Sequence, residues 1–179
     1  EEMAQRILKA REEADSVGGV TETVICGTPA GVGEPWFDSV ESIISHAAFS
    51  LGGVKGIEFG AGFAAADMKG SECNDPLRVS GGRIVTTTNN NGGVNGGITN
   101  GMPIVFRCAV KPTPSIAQTQ DTVDFIKNEN TQLSIHGRHD PAIIRRICPV
   151  LDSVAALCVA DMLSLRYGTD VLTKGVDDK

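Results

Sequence analysis

Apolar residues along the chain recur at helical spacing in three stretches and cluster or alternate as strands in four others. Met3, Ile7 and Leu8 within residues 1–14 predict a first helix. Phe37, Val40, Ile43, Ile44, Ala47, Ala48 and Leu51 predict a second over 36–51. The third is the longest: Ile143, Ile144, Ile147, Val150, Leu151, Val154, Leu157, Cys158, Met162 and Leu165 repeat at three and four residues and stop near Gly168. Asp140 before Pro141 reads as its N-cap followed by a proline at the first helical position. Val20–Ile25, the run "VKGIEFGAGF", Val79–Thr88 and "PIVFRCAVKPT" read as strands. Helices and strands alternate loosely, which predicts one α/β or α+β domain over 1–179, a sandwich of helices against mainly antiparallel sheet.

The connections carry the chemistry. Gly60-x-Gly62-x-x-Ala65 follows a strand and superficially matches a dinucleotide-binding turn. The segment after it is too short for a crossover helix, so the plainer reading is a glycine-rich strand end that lets backbone approach closely. "TTTNNNGGVNGG" (86–97) reads on composition as a flexible polar loop. Its glycine pairs would equally let backbone amides approach a planar or phosphorylated ligand. "KPTPS" (111–115) sets an ammonium beside two hydroxyls on a proline-stiffened turn, a set that suits a phosphate tail and is equally compatible with a solvated turn. Arg138 stands where a cation and a helix N-terminus can share one anion, which capping alone does not explain. His139 beside Asp140 is a candidate proton-transfer pair, whereas His46 in the second helix reads as structural.

Composition narrows the function. Charged residues make up 21% and hydrophobic ones 41%, with 4% aromatics and 21 glycines, a globular composition poor in base-stacking surfaces. The net charge of −6 argues against broad attachment to nucleic acid or anionic lipid, so cationic chemistry must be local. Five cysteines lack CxxC spacing, no His/Cys cluster reads as a metal site, and the odd count points to a reducing cytoplasm with most thiols acting as small apolar residues. No signal peptide and no apolar run of membrane-spanning length is expected.

In order, "DSVGG" (15–19), "GVGEPWFDSVESIISHA", "VKGIEFGAGFAAADMKGSECND", "NNNGGVNGGITNGMPI", "KPTPSI" and "GRHDP…CPVLDSVAAL" resemble the C-terminal half of chorismate synthase. The family's late signature, Arg-x-Asp-Pro before a helix, is Arg138-His139-Asp140-Pro141 here. The resemblance implies 1,4-anti elimination of phosphate from 5-enolpyruvylshikimate 3-phosphate, giving chorismate. It also implies reduced FMN as cofactor, NADPH only as a reductant, a cytoplasmic homotetramer, and no nucleic-acid or membrane partner. Carried over by position, Gly52, Gly53, Gly96, Lys111, Pro112, Thr113, Pro114, Ser115 and Arg138 would hold FMN. Arg138 would also meet the substrate anion, and Asp140 would serve proton removal beside the flavin. No metal is implied.

Some positions depart from the family. Gly52-Gly53 replaces the usual asparagine-alanine, Asp152 replaces a glutamate in the last helix, and Pro114 stands where a small hydroxyl residue is common. The family's N-terminal signatures, with its catalytic histidines and most substrate-binding arginines, have no counterpart in the sequence. The expectation is therefore a C-terminal portion that is inactive alone; the alternatives are a non-catalytic binding or assembly module and an unrelated dinucleotide-binding protein.

Overall fold

A computed structural model describes residues 1–175. In chain order the elements are α1 (Glu2–Glu12), β1 (Gly19–Ile25), α2 (Val40–Phe49), β2 (Val54–Phe59), α3 (Gly70–Cys73), β3 (Leu77–Ser80), β4 (Arg83–Thr86), β5 (Val94–Asn95), β6 (Ile98–Thr99), β7 (Ile104–Val110), β8 (Gln120–Asp124), β9 (Glu129–Leu133), α4 (Ile144–Tyr167) and α5 (Val171–Lys174). Short 3-10 turns occupy Trp36–Asp38 and Gly62–Asp67. A three-stranded antiparallel sheet in the order β1-β7-β2 is covered on one face by α2 and α4, and three separate two-stranded hairpins, β3-β4, β5-β6 and β8-β9, accompany it. The expected α+β class, helices against antiparallel sheet, is what the chain adopts.

The central strand explains why these layers stick. Along β7, Ile104, Phe106, Cys108 and Val110 alternate inward and are fully or almost fully buried. They meet Val40, Ile44 and Ala48 of α2 and Leu151 and Ala155 of α4 in one apolar cluster. Truncating Phe106 to alanine at its centre would cost about 3–5 kcal/mol, because the lost contacts leave a cavity. Cys108 packs there as a small hydrophobe, and burial pushes its thiol up to about 11. Cys158 is also buried, but Cys26 is exposed.

Several boundaries differ from expectation, each for a local reason. The last helix begins at Ile144, and Ile143 rather than Asp140 takes the cap position. The Pro141 carbonyl accepts the Val17 N–H at 2.9 Å, which holds Pro141 in a bend outside the helix. The buried row of α4 is also narrower than the apolar pattern: Leu157 and Leu165 are exposed, and the core face runs through Ile147, Leu151, Ala155, Cys158 and Met162. By length and composition alone α4 qualifies as a membrane span, contrary to the sequence reading, yet it presents this row to the sheet. In the second helix, Ser39 accepts the Ser42 N–H and starts α2 at Val40, which leaves Phe37 86% exposed instead of on the core face. His46, expected to be structural, is exposed on α2. Val79–Thr88 is a hairpin, not one strand, because Gly81 and Gly82 both take the positive φ that a tight turn needs. The hairpin of β8 and β9 is a further finding.

The dinucleotide look-alike is overturned by topology. Gly60 and Gly62 follow a strand of an antiparallel sheet and lead into a 3-10 turn, so no parallel crossover and no helix N-terminus stands ready for a pyrophosphate. The close-approach reading holds instead: a Cβ on Gly60 would collide with the Asn90 carbonyl and the Gly92 N–H. The supposedly flexible 86–97 loop is pinned by Asp75. Its carboxylate accepts from the Thr88 hydroxyl (2.7 Å), the Asn90 and Asn91 backbone N–H groups (2.7 and 2.9 Å) and the Asn91 side-chain amide (2.9 Å).

Candidate active site

The register of the central sheet decides where the site lies. Gly19 pairs with Val110, and Val110 pairs with Val54. The start of β1, the end of β7 and the start of β2 therefore share one sheet edge. The segments just beyond that edge are Asp15–Gly18, Lys111–Ser115 and Gly52-Gly53, and the residues that precede α4 join them.

Backbone and side-chain hydrogen bonds knit these segments together. The Lys111 N–H donates to the Gly53 carbonyl at 2.8 Å. The Ser16 hydroxyl donates to the Thr113 carbonyl at 2.6 Å, and the Val17 N–H meets Pro141 as described above. Ser115 Oγ lies 3.0 Å from His139 Nδ1, while His139 Nε2 lies 2.9 Å from the Ile135 carbonyl. The chain thus brings Gly52, Gly53, Lys111, Pro112, Thr113, Pro114, Ser115, Arg138 and Asp140 into one neighbourhood. Gly96 stays apart. It sits in the turn between β5 and β6, beside the Gly97 carbonyl that accepts from Val40 at the start of α2, whereas Gly53 follows the other end. A helix of ten residues separates the two by about 15 Å.

An open cavity of about 450 Å³ faces this edge, lined by Arg11, Arg138, His139, Asp140, Pro141 and Arg146. Three guanidiniums, from α1, from the segment before α4 and from the first turn of α4, thus line one cavity with a single carboxylate. Arg146 Nη1 stands 3.0 Å from Asp140 Oδ2. The contact is an ion pair without hydrogen-bond alignment, for Asp140 Oδ2 is buried with no hydrogen-bond partner among the described residues. Thr113 Oγ1 is in the same condition, and Lys111 and Arg138 carry no ion pair among those residues. Buried polar atoms are nearly always satisfied, so the Thr113 hydroxyl and the two free cations fit an anionic group, whereas Asp140 Oδ2 calls for a hydrogen-bond donor. No group of three or more His, Cys, Asp or Glu among the described residues could hold a metal ion.

Arg11, Ser16 and Arg146 were not singled out by the sequence reading. Arg11 belongs to the periodic pattern of α1 and Arg146 to that of α4, and no local signal distinguishes them from solvated charges. Asp152, the shortened acid of the last helix, accepts from the Thr23 hydroxyl at 3.1 Å and ties α4 to β1 away from this cavity.

Comparison with known proteins decides the family. A family model described as chorismate synthase matches residues 1–164. The chain belongs to the chorismate synthase family. It is 50% identical over 168 residues to the chorismate synthase of Methanosarcina acetivorans, covering 94% of this chain and 46% of that protein. It is 49% identical over 166 residues to that of Korarchaeum cryptofilum, covering 92% and 46%. A solved structure titled "Crystal Structure of Chorismate Synthase" superposes with a TM-score of 0.76 at 31% identity, covering 94% of this chain and 44% of that one. The chain therefore spans about half the length of the chorismate synthases it matches.

Proposed function

We propose that this chain is the C-terminal portion of a chorismate synthase and supplies its flavin-holding turn and part of its anion site. The reaction is 1,4-anti elimination of phosphate from 5-enolpyruvylshikimate 3-phosphate to chorismate, in a cytoplasmic homotetramer. The observation that carries this reading is the meeting of Lys111–Ser115 with Arg138–Asp140 around buried, unsatisfied Thr113 Oγ1 and Asp140 Oδ2.

Lys111, Thr113 and Ser115 would hold the FMN phosphate, with Pro112 and Pro114 stiffening the turn and Gly52-Gly53 admitting the ring system by backbone alone. Gly96 is a proposed flavin contact on family resemblance only. When bound there, reduced FMN would supply transient electron density that helps phosphate leave, with NADPH only as its reductant. Arg138, with Arg11 and Arg146 beside it, stabilises the anionic substrate and the charge that develops on the leaving group. Asp140, held by Arg146, accepts the substrate proton. With about half of the family's length present, the chain is inactive alone; a binding or assembly module that keeps the fold is the second reading, favoured by the same coverage.

Titration of the chain with FMN and 5-enolpyruvylshikimate 3-phosphate under reducing conditions, followed by assay for chorismate, tests both readings. Flavin binding lost in Thr113→Val, without turnover, supports the proposal. Absence of any flavin or substrate binding favours the assembly module, and turnover refutes the division of labour.

A further inference from the structure

The contacts of His139 constrain where protons sit at the proposed phosphate site. Its Nε2 faces the Ile135 carbonyl at 2.9 Å. A carbonyl only accepts, so Nε2 carries a proton whether the ring is neutral or charged. In the neutral ring Nδ1 is then a bare acceptor, and the hydrogen bond at 3.0 Å is donated by the Ser115 hydroxyl. A serine hydroxyl has one proton. While it is given to His139, Ser115 can offer a phosphate nothing but lone pairs.

From this the geometry points to a proton-coupled anion site: binding of a phosphate group at the Lys111–Ser115 turn loads one proton onto His139. The proton comes from solvent and ends on Nδ1. Nδ1–H then donates to Ser115 Oγ, and the Ser115 O–H, which keeps its own proton, turns to donate to a phosphate oxygen. No bond other than hydrogen bonds changes, and the net stoichiometry is one proton taken up per phosphate bound. His139 is a positioning residue here, acting through Ser115. The inference rests on the reading that this turn takes the flavin phosphate.

The charged groups around the ring suit such coupling. Arg11 and Asp15 reach the flanking cavities from α1 and the bend after it, Arg138 and Asp140 flank His139 in sequence, and Arg146 comes from α4. His136 stands on the same segment, and Lys111 opens the turn that ends in Ser115. All of these are present in both states. The added negative charge of the phosphate is what changes, and it favours the charged ring.

Isothermal titration of FMN into the chain, repeated in buffers of different ionisation enthalpy, reads the proton directly. Uptake approaching one proton is expected, with affinity that tightens by up to about tenfold per pH unit as pH falls through the range where histidines titrate. In His139→Asn the side-chain amide donates to Ser115 at every pH, so binding persists, the histidine contribution disappears, and only the phosphate's own titration remains. FMN binding with no proton uptake, or with the same pH slope in His139→Asn, overturns the coupling and leaves the flavin reading intact. A second measurement separates the two: the ¹⁵N shifts of the His139 ring on addition of inorganic phosphate. Protonation there supports the coupling even if FMN does not bind, in which case the flavin reading alone fails; unchanged ring shifts at saturating phosphate overturn it.

Discussion

Ser115 Oγ and His139 Nδ1, 24 residues apart in sequence, lie 3.0 Å from each other and join the end of β7 to the segment before α4. The bond is part-buried and spans the whole β8–β9 hairpin, so it closes a long loop that sequence alone leaves open. A double-mutant cycle with Ser115→Ala and His139→Ala is expected to show a coupling of about 1 kcal/mol in unfolding free energy, the net worth of one such hydrogen bond. A coupling near zero would mean that the two segments are held together by other contacts, such as those of Pro141, Ser16 and Ser134.

Arg146 and Asp140 separate binding from stability. The pair is 3.0 Å apart, but Arg146 is 77% exposed, and such pairs contribute at most about 1 kcal/mol to folding. Arg146→Ala should therefore shift the thermal midpoint by only a few degrees. It should weaken binding of 5-enolpyruvylshikimate 3-phosphate about tenfold or more, because it takes one of three guanidiniums from the cavity and removes the ion-pair partner of Asp140. Arg146→Lys should recover part of the affinity. Equal losses in both variants, paralleled by lost stability, would assign Arg146 to the fold.

How much of this was legible follows from the range over which each signal acts. Gly168 ends α4 as its positive φ requires, and β1, β2 and β7 sit where alternation and β-branched residues place them, because these are local preferences. The β8–β9 hairpin escaped because Val123 is the sole apolar residue of β8, and its turn, Phe125–Asn128, lacks the usual glycine. Asp140 was read as a cap because a local rule fits it; a contact from Val17, more than a hundred residues away, draws the adjoining Pro141 out of the helix. The two proposed binding segments were visible as motifs. Their meeting was not, since it depends on the pairing of Gly19 and Val54 with Val110.

Asp75 sets an acid limit on the order of the 86–97 loop. Burial pushes its carboxyl up, but the bonds from the Asn91 N–H, the Thr88 hydroxyl, the Asn90 N–H and the Asn91 amide outweigh it and hold the group below the ordinary 3.8. A folded value below the unfolded one gives stability that is fully present above the ordinary carboxylate range and lost as pH falls through the lowered folded value. Amide exchange at Asn90 and Asn91, measured with the intrinsic rate removed, should thus show protection that is flat above about pH 5 and declines below about pH 4. Asp75→Asn should lower that protection at neutral pH, by about 1–3 kcal/mol for lost bonds to a charge, and flatten its acid dependence.

Gly52 and Gly53, where the family usually has asparagine and alanine, are predicted to respond to restoration in opposite ways. Beyond its chain neighbours no atom lies within 4 Å of where a Gly52 Cβ would sit, so Gly52→Asn has room for its side chain and leaves stability within about 0.5 kcal/mol. Gly53 has φ of +100°, a conformation that side chains resist, and its added Cβ would come 2.9 Å from Ile143 Cδ1. Gly53→Ala should cost about 1–3 kcal/mol, shared between backbone strain and displacement of Ile143. Ile143 is the cap residue of α4, three positions from Asp140, so that displacement reaches the proposed site. Denaturant unfolding of the two single variants, with FMN titration of each, separates the effects. Tighter flavin binding is expected from Gly52→Asn, which adds an amide donor and acceptor beside the Lys111 turn. Unchanged flavin affinity in a stable Gly52→Asn would show that backbone recognition suffices there. Full stability of Gly53→Ala would show that this turn relaxes to negative φ at no cost.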